Sequence, residues 1–212
     1  MIKRLREPIN GFTHLIGAIL SAIGLIVLVM LSQHQPARLA AAIVYGISLI
    51  LLYTASTVYH LVNAGQRALR WLRSLDHAAI YILIAGTYTP FCVSLLPDPW
   101  RAVMLVVIWG LAAAGVIYKL AFRHHNHRHI STVLYLGMGW LAVLILPAML
   151  HRLPPGALIL IVSGGLVYTL GALIYALKRP NLGRRFGHHE LWHLLVMGGS
   201  ALHYAAVALY AV

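Results

Sequence analysis

GFTHLIGAILSAIGLIVLVMLS, residues 11–32, runs for 22 residues without an Asp, Glu, Lys or Arg. As a helix rising 1.5 Å per residue it is about 33 Å long. That length matches a bilayer core of about 30 Å, which takes about 20 apolar residues. Six further apolar runs of similar length follow at 39–62, 77–96, 100–121, 131–150, 156–177 and 190–212. Short polar breaks separate them: Gln33 to Arg38, Pro97-Asp98-Pro99, the basic and histidine-rich Phe122 to Ile130, Leu153-Pro154-Pro155-Gly156 and the basic Lys178 to His188. Such proline- and glycine-bearing breaks punctuate helices.

The seven runs consume most of the 212 residues and leave no room for a soluble domain. Only 9% of residues are charged while 61% are hydrophobic, against about a quarter charged in a soluble domain. The expected fold is therefore an all-α integral membrane protein, one seven-helix transmembrane domain over residues 1–212. The basic start, Met1 to Arg6, fits a signal peptide, but the apolar run behind it exceeds a usual signal core. It is expected to stay as a helix. Cys92, the single cysteine, lies within an apolar run. It supports no intramolecular disulfide and no cysteine-based zinc site.

Orientation follows from the basic residues. Counted on alternate sides of the spans, thirteen Lys and Arg fall on the side of the N-terminus and three (Arg38, Arg101, Arg152) on the other. The positive-inside rule places the N-terminus inside and the C-terminus outside. The net charge of +12 is thus topological. Nucleic-acid binding, which needs a continuous basic face, is not expected. Arg67, Arg70 and Arg73 recur every three residues among Leu69, Trp71, Leu72 and Leu75. They read either as a short interfacial helix facing anionic headgroups or as a solvated basic turn.

Titratable groups inside spans are costly and mark function. In this topology His14 lies in the first turn of the first span, and Ser56 and His60 in the last two turns of the second. Asp76 opens the third; His189, Glu190 and His193 open the seventh. All fall at the cytoplasmic leaflet, with three of the four acidic residues, Glu7, Asp76 and Glu190. His189 and His193 share a helix face at i,i+4, as do Ser56 and His60. Three histidines from two helices plus a water make a tetrahedral Zn2+ site with an open position, and zinc brings such a water near neutrality as a nucleophile. Asp76 then reads as general base or as an orienting carboxylate, and Ser56 as a hydrogen-bond donor to the water or an oxyanion.

Other histidines are less pointed. His14 is a candidate for a supporting role, and His77, His188 and His203 read either as neighbours of the site or as packing residues. His189-Glu190-Leu191-Trp192-His193 also fits H-E-x-x-H, with Glu190 as base of a metalloprotease. The extended form of that motif is missing, so a third ligand, His60 or Asp76, must come from elsewhere. His124, His125, His127 and His129 form a histidine tract, read as a solvated loop in preference to a metal site.

Asn10-x-x-Thr13-His14-x-x-Gly17, Ser56-x-x-x-His60, Leu75-Asp76-His77, Ala85-Gly86-Thr87-Tyr88-Thr89-Pro90 and His189-x-x-x-His193 occur in an order that resembles the hemolysin III proteins. These are the bacterial branch of the progestin and adipoQ receptor family, which includes the adiponectin receptors. The resemblance spans residue 7 to the C-terminus. It implies seven helices with an inside N-terminus, a bacterial inner membrane location, and one zinc near the cytoplasmic leaflet. By motif, the ligands fall on His60, His189 and His193, with Ser56 and Asp76 beside the metal-bound water. Alkaline ceramidases in the wider superfamily point to hydrolysis of a lipid amide or ester, with membrane lipids as partners. A regulator or sensor of membrane state with structural zinc, and a pore-forming cytolysin, are the alternatives.

Overall fold

A computed structural model describes residues 5–122, 128–149, 153–183 and 186–212. Among these residues there is no strand. The helices are α1 (Pro8–Ser32), α2 (Pro36–Leu61), α3 (Gln66–Leu95), α4 (Trp100–Ala121), α5 (Arg128–Trp140), α6 (Ala142–Met149), α7 (Pro155–Leu177) and α8 (His188–Tyr210). Six of them, all but α5 and α6, are long and apolar enough to cross a membrane. Three starts are set by proline, at Pro8, Pro36 and Pro155. Proline suits the first helical turn because its missing N–H has no intrahelical acceptor there.

Neighbouring helices pack in the order α4, α3, α2, α1, α8, α7, α5, and α3 also touches α5 and α8. That places α3 inside the bundle, as its burial confirms: 67% of its most apolar window is buried, against 22% for α4 and α7. The outer helices turn large apolar side chains outward, among them Ile23, Ile26 and Met30 of α1, Val106 and Ile117 of α4 and Leu166 of α7. An exposed apolar surface of this extent faces lipid rather than water. Gly86 lets α2 and α3 close, since a methyl group there would collide with Ser48. Cys92 is buried and free.

Two features depart from the sequence reading. First, α3 starts at Gln66 and runs unbroken for 30 residues, about 45 Å. Arg67, Arg70 and Arg73 therefore stand on its opening turns, and neither a separate interfacial helix nor a turn is formed. Leu69, Leu72 and Leu75 continue the pattern into the span, which is why the helix has no reason to stop. Second, the fifth span is two helices with a break at Leu141.

The break is held from across the bundle. The Tyr88 hydroxyl shares its proton between the carbonyls of Met138 and Gly139, at 2.9 and 2.8 Å, and accepts the Ala142 N–H at 2.8 Å. Hydrocarbon supplies no substitute partner, so an interrupted helix must find protein donors and acceptors. Pro90, inside α3, deprives the Gly86 carbonyl of its helical donor. The Thr87 and Thr89 hydroxyls bond the Leu83 and Ala85 carbonyls, not that of Gly86, at 2.8 and 2.9 Å. Trp109 of α4 donates to Thr89 at 3.2 Å.

Tyr88→Phe strands backbone groups at the break, costing about 1–3 kcal/mol. A chain of this size then loses several degrees of thermal midpoint, and amide exchange at Leu141 to Leu144 accelerates. An unchanged midpoint and unchanged exchange would show that Tyr88 does not hold the break.

Candidate metal centre

The ends of four helices meet at one end of the bundle: the starts of α1, α3 and α8 and the last turn of α2. The chain fixes this corner by backbone and side chain together. The Glu7 N–H donates to the His60 carbonyl at 3.0 Å, pinning the entry to α1 against the exit of α2. Asn10 of α1 donates to Glu190 Oε1 at 3.0 Å, and Glu190 Oε2 accepts the Gly187 N–H at 2.8 Å. Glu190 thus ties α1 to α8 and closes the start of its own helix.

Within this corner His60, His189 and His193 converge, each offering one ring nitrogen, and these atoms all lie within 4.8 Å of one another. Ring centroids are 5.2 Å apart for His60 and His189, 4.8 Å for His60 and His193, and 5.0 Å for His189 and His193. His60 and His193 are almost wholly buried, and His189 Nε2 and His193 Nδ1 have no hydrogen-bond partner. Buried nitrogen lone pairs without partners cost free energy. These two, together with a ring nitrogen of His60, lie close enough to be satisfied by a single cation. The donor set therefore fits a metal, and it contains no carboxylate among the described residues.

His60 is further prepared for that role. Its Nδ1 lies 2.6 Å from Glu7 Oε2. With Nδ1–H given to the carboxylate, Nε2 is left bare, which is the usual carboxylate–histidine support of a metal ligand. This hydrogen bond, aided by the charge of Arg6, holds the Glu7 carboxyl below the usual carboxylate range against the opposing effect of partial burial. Arg6 itself sits over the Tyr59 ring at 4.2 Å and 3.4 Å from Glu7 Oε1.

Asp76 and Ser56 stand beside the triad. Ser56 lies one turn before His60 on the same face of α2 and is fully buried. Asp76 lies in the third turn of α3, and its Oδ2 is 3.2 Å from His77 Nδ1. His77 Nε2 is 3.5 Å from the Tyr175 hydroxyl, so of its two readings His77 fits that of a neighbour of the site. His14 stacks on His193 with centroids 3.7 Å apart and planes 19° from parallel. That position supports a ligand without adding one. His188 instead contacts Asn181 at 3.0 Å, in the loop. His129 is exposed, and His124, His125 and His127 lie outside the described residues.

Ser56, Asp76, His14, His77, His189 and His193 all line one end of a cavity of about 230 Å³. Beyond them its wall is mostly apolar, with Leu83, Phe91, Leu146 and Leu158 among the lining residues. Along α3 the lining runs from Asp76 to Cys92, and along α8 from His189 to His203. Those intervals measure about 24 and 21 Å at 1.5 Å per residue, longer than one leaflet's share of a 30 Å core.

The sequence reading noted Glu7 at this level but gave it no role. The available signal was an acidic residue just ahead of Pro8, among basic neighbours. Glu7→Gln weakens the hydrogen bond to His60, and the expected result is a 10- to 100-fold loss of metal affinity in a competition titration with a chelating dye. Glu190→Gln, which loosens the α1–α8 tie, leaves that affinity close to wild type. Equal affinity in wild type and Glu7→Gln would remove Glu7 from the centre.

Comparison with known proteins agrees with this architecture. A family model described as "Haemolysin-III related" matches residues 2–204. The chain is 38% identical over 213 residues to Hemolysin-3 of Bacillus cereus, covering 99% of this chain and 94% of that protein. It is 34% identical over 208 residues to the Hemolysin-3 homolog of Bacillus subtilis, covering 97% and 94%. A human relative, monocyte to macrophage differentiation factor, is 30% identical over 205 residues, covering 95% and 82%. With a family match over nearly its whole length and a helical bundle to carry it, this chain belongs to the haemolysin-III related family.

Proposed function

We propose that this multi-pass membrane protein is a zinc-dependent hydrolase of lipid amide or ester bonds. The observation that carries the reading is that Ser56, Asp76, His189 and His193 line the polar end of a long apolar cavity, with His60 grouped behind them against His189 and His193. Three neutral imidazoles and an open position are the donor set of catalytic zinc. When bound, zinc polarises a carbonyl and supplies a water that is acidic enough to attack near neutral pH.

The chain's own groups do the rest. The apolar cavity holds an acyl chain and keeps bulk water away from the scissile bond, while the triad end accepts the polar linkage. Asp76 takes a proton at its carboxylate and returns it to the departing amine or alcohol. Its His77 partner, at 3.2 Å, holds the carboxylate in place. The Ser56 hydroxyl donates to the carbonyl oxygen as negative charge builds there. The cavity wall between α3 and α7 is lined by residues of α5 and α6. Chains enter from the bilayer on that side.

The charge bias supports a cytoplasmic-leaflet position for this centre with the N-terminus inside, and the bacterial relatives support the inner membrane as its location. Asp76 pairs with His77 and stays outside the three-nitrogen group. That arrangement favours an open, catalytic centre over a closed structural one. Glu190 is engaged by Asn10 and by the Gly187 N–H, so a protease using it as base has little support. The apolar cavity wall gives a pore no polar path.

The test uses zinc-loaded protein in nanodiscs with a panel of ceramide-like amides and acyl esters. Turnover is expected for at least one class. Asp76→Asn should slow it 10²- to 10⁴-fold and Ser56→Ala roughly 10²- to 10³-fold, both at unchanged metal content. No turnover across the panel at full zinc content, or full turnover in Asp76→Asn, would overturn the hydrolase and leave the membrane-state regulator ahead.

A further inference from the structure

The far end of the cavity carries a polar group that the metal centre does not use. His203 lines the cavity ten residues beyond His193 on α8, a separation of about 15 Å along the helix. Its Nε2 lies 3.1 Å from the Ile161 carbonyl. A carbonyl only accepts, so Nε2 carries the proton, and Nδ1 of the neutral ring is then an acceptor. That Nδ1 is buried and has no hydrogen-bond partner.

The surroundings do not supply one. Tyr53 donates to Ser200 Oγ at 2.7 Å, and the Tyr168 hydroxyl pairs with the same oxygen at 2.7 Å rather than with His203. Gly164 makes room for the ring, since a methyl group there would lie 2.6 Å from His203 Nε2. The fold thus clears space for an imidazole deep in a span and leaves its acceptor nitrogen bare. An ionisable residue in that position marks a binding function by default.

We infer that His203 is a specificity-determining residue that accepts a hydrogen bond from a hydroxyl on the acyl chain of the bound lipid. The inference rests on the lipid-cavity reading above, though not on turnover. An extended chain advances 3.3–3.6 Å per three backbone bonds, so 15 Å from the triad is about 13 bonds. The hydroxyl that reaches His203 is therefore near the twelfth carbon, and a hydroxyl beside the carboxyl group falls short.

The experiment compares equilibrium binding of octadecanoate, 2-hydroxyoctadecanoate and 12-hydroxyoctadecanoate to the full chain in nanodiscs. Trp140 and Trp192 line the cavity and give a fluorescence readout. One added hydrogen bond should make the 12-hydroxy acid bind about fivefold tighter than the other two. His203→Phe should erase that preference while octadecanoate still binds as in wild type. Equal affinities in the wild type, or a preference that survives His203→Phe, would overturn this inference alone. No binding of any of the three would overturn the lipid-cavity reading and this inference with it. If His203→Phe does not fold, the wild-type ranking of the three acids decides.

Discussion

Hydrocarbon offers no hydrogen bonds, and this constraint organises the whole bundle. Most polar side chains in the spans close on backbone within their own helix: Ser21 on Gly17, Ser32 on Leu28, Thr57 on Tyr53 and Thr169 on Gly165. Where the backbone itself is interrupted, at Leu141, a tyrosine fifty residues away in sequence closes it. Against that background the exceptions stand out. Among the described residues, apart from Arg6, Asn10, the Tyr45 and Tyr81 hydroxyls and the Asp76-facing Nδ1 of His77, the buried side-chain atoms without a partner belong to histidines at the triad, beside it, or along the same cavity. The sites are therefore the places where the protein leaves polar groups for something else to satisfy.

The sequence made much of this visible, for reasons that can be named. Charge-free runs and the prolines at Pro8, Pro36 and Pro155 mark the helices because length and φ restriction act locally. The i,i+4 spacings of Ser56 with His60 and of His189 with His193 fix shared faces, and depth in the membrane brings them to one layer. The start of α3 was hidden because its Arg–Leu alternation is polar by hydropathy yet helical in pattern. The break at Leu141 was hidden because its partner, Tyr88, lies on another helix. Glu7 and Glu190 show the same limit from opposite sides. Glu7 acquires meaning only when the chain entry folds back on His60, while Glu190 loses its protease meaning only when Asn10 of α1 comes to meet it.

The arrangement joins stability and chemistry in one corner. Glu7 positions His60, Glu190 anchors α8 to α1, and α8 carries both remaining histidines. The central helix α3 contributes Asp76 and also the Tyr88 that holds the cavity's α5–α6 wall. The same helix, α3, thus runs along the cavity from Asp76 at its polar end to the Tyr88 that braces its wall, about three turns away.

The most direct measurement is metal content by mass spectrometry on protein purified without chelators, for wild type, His60→Ala and His193→Ala. The account predicts about one zinc per chain in the wild type, lost in both variants, as expected when a tetrahedral site gives up one of three protein ligands. Absence of zinc from the folded wild-type protein, or its retention in both variants, would contradict a metal centre at these three histidines.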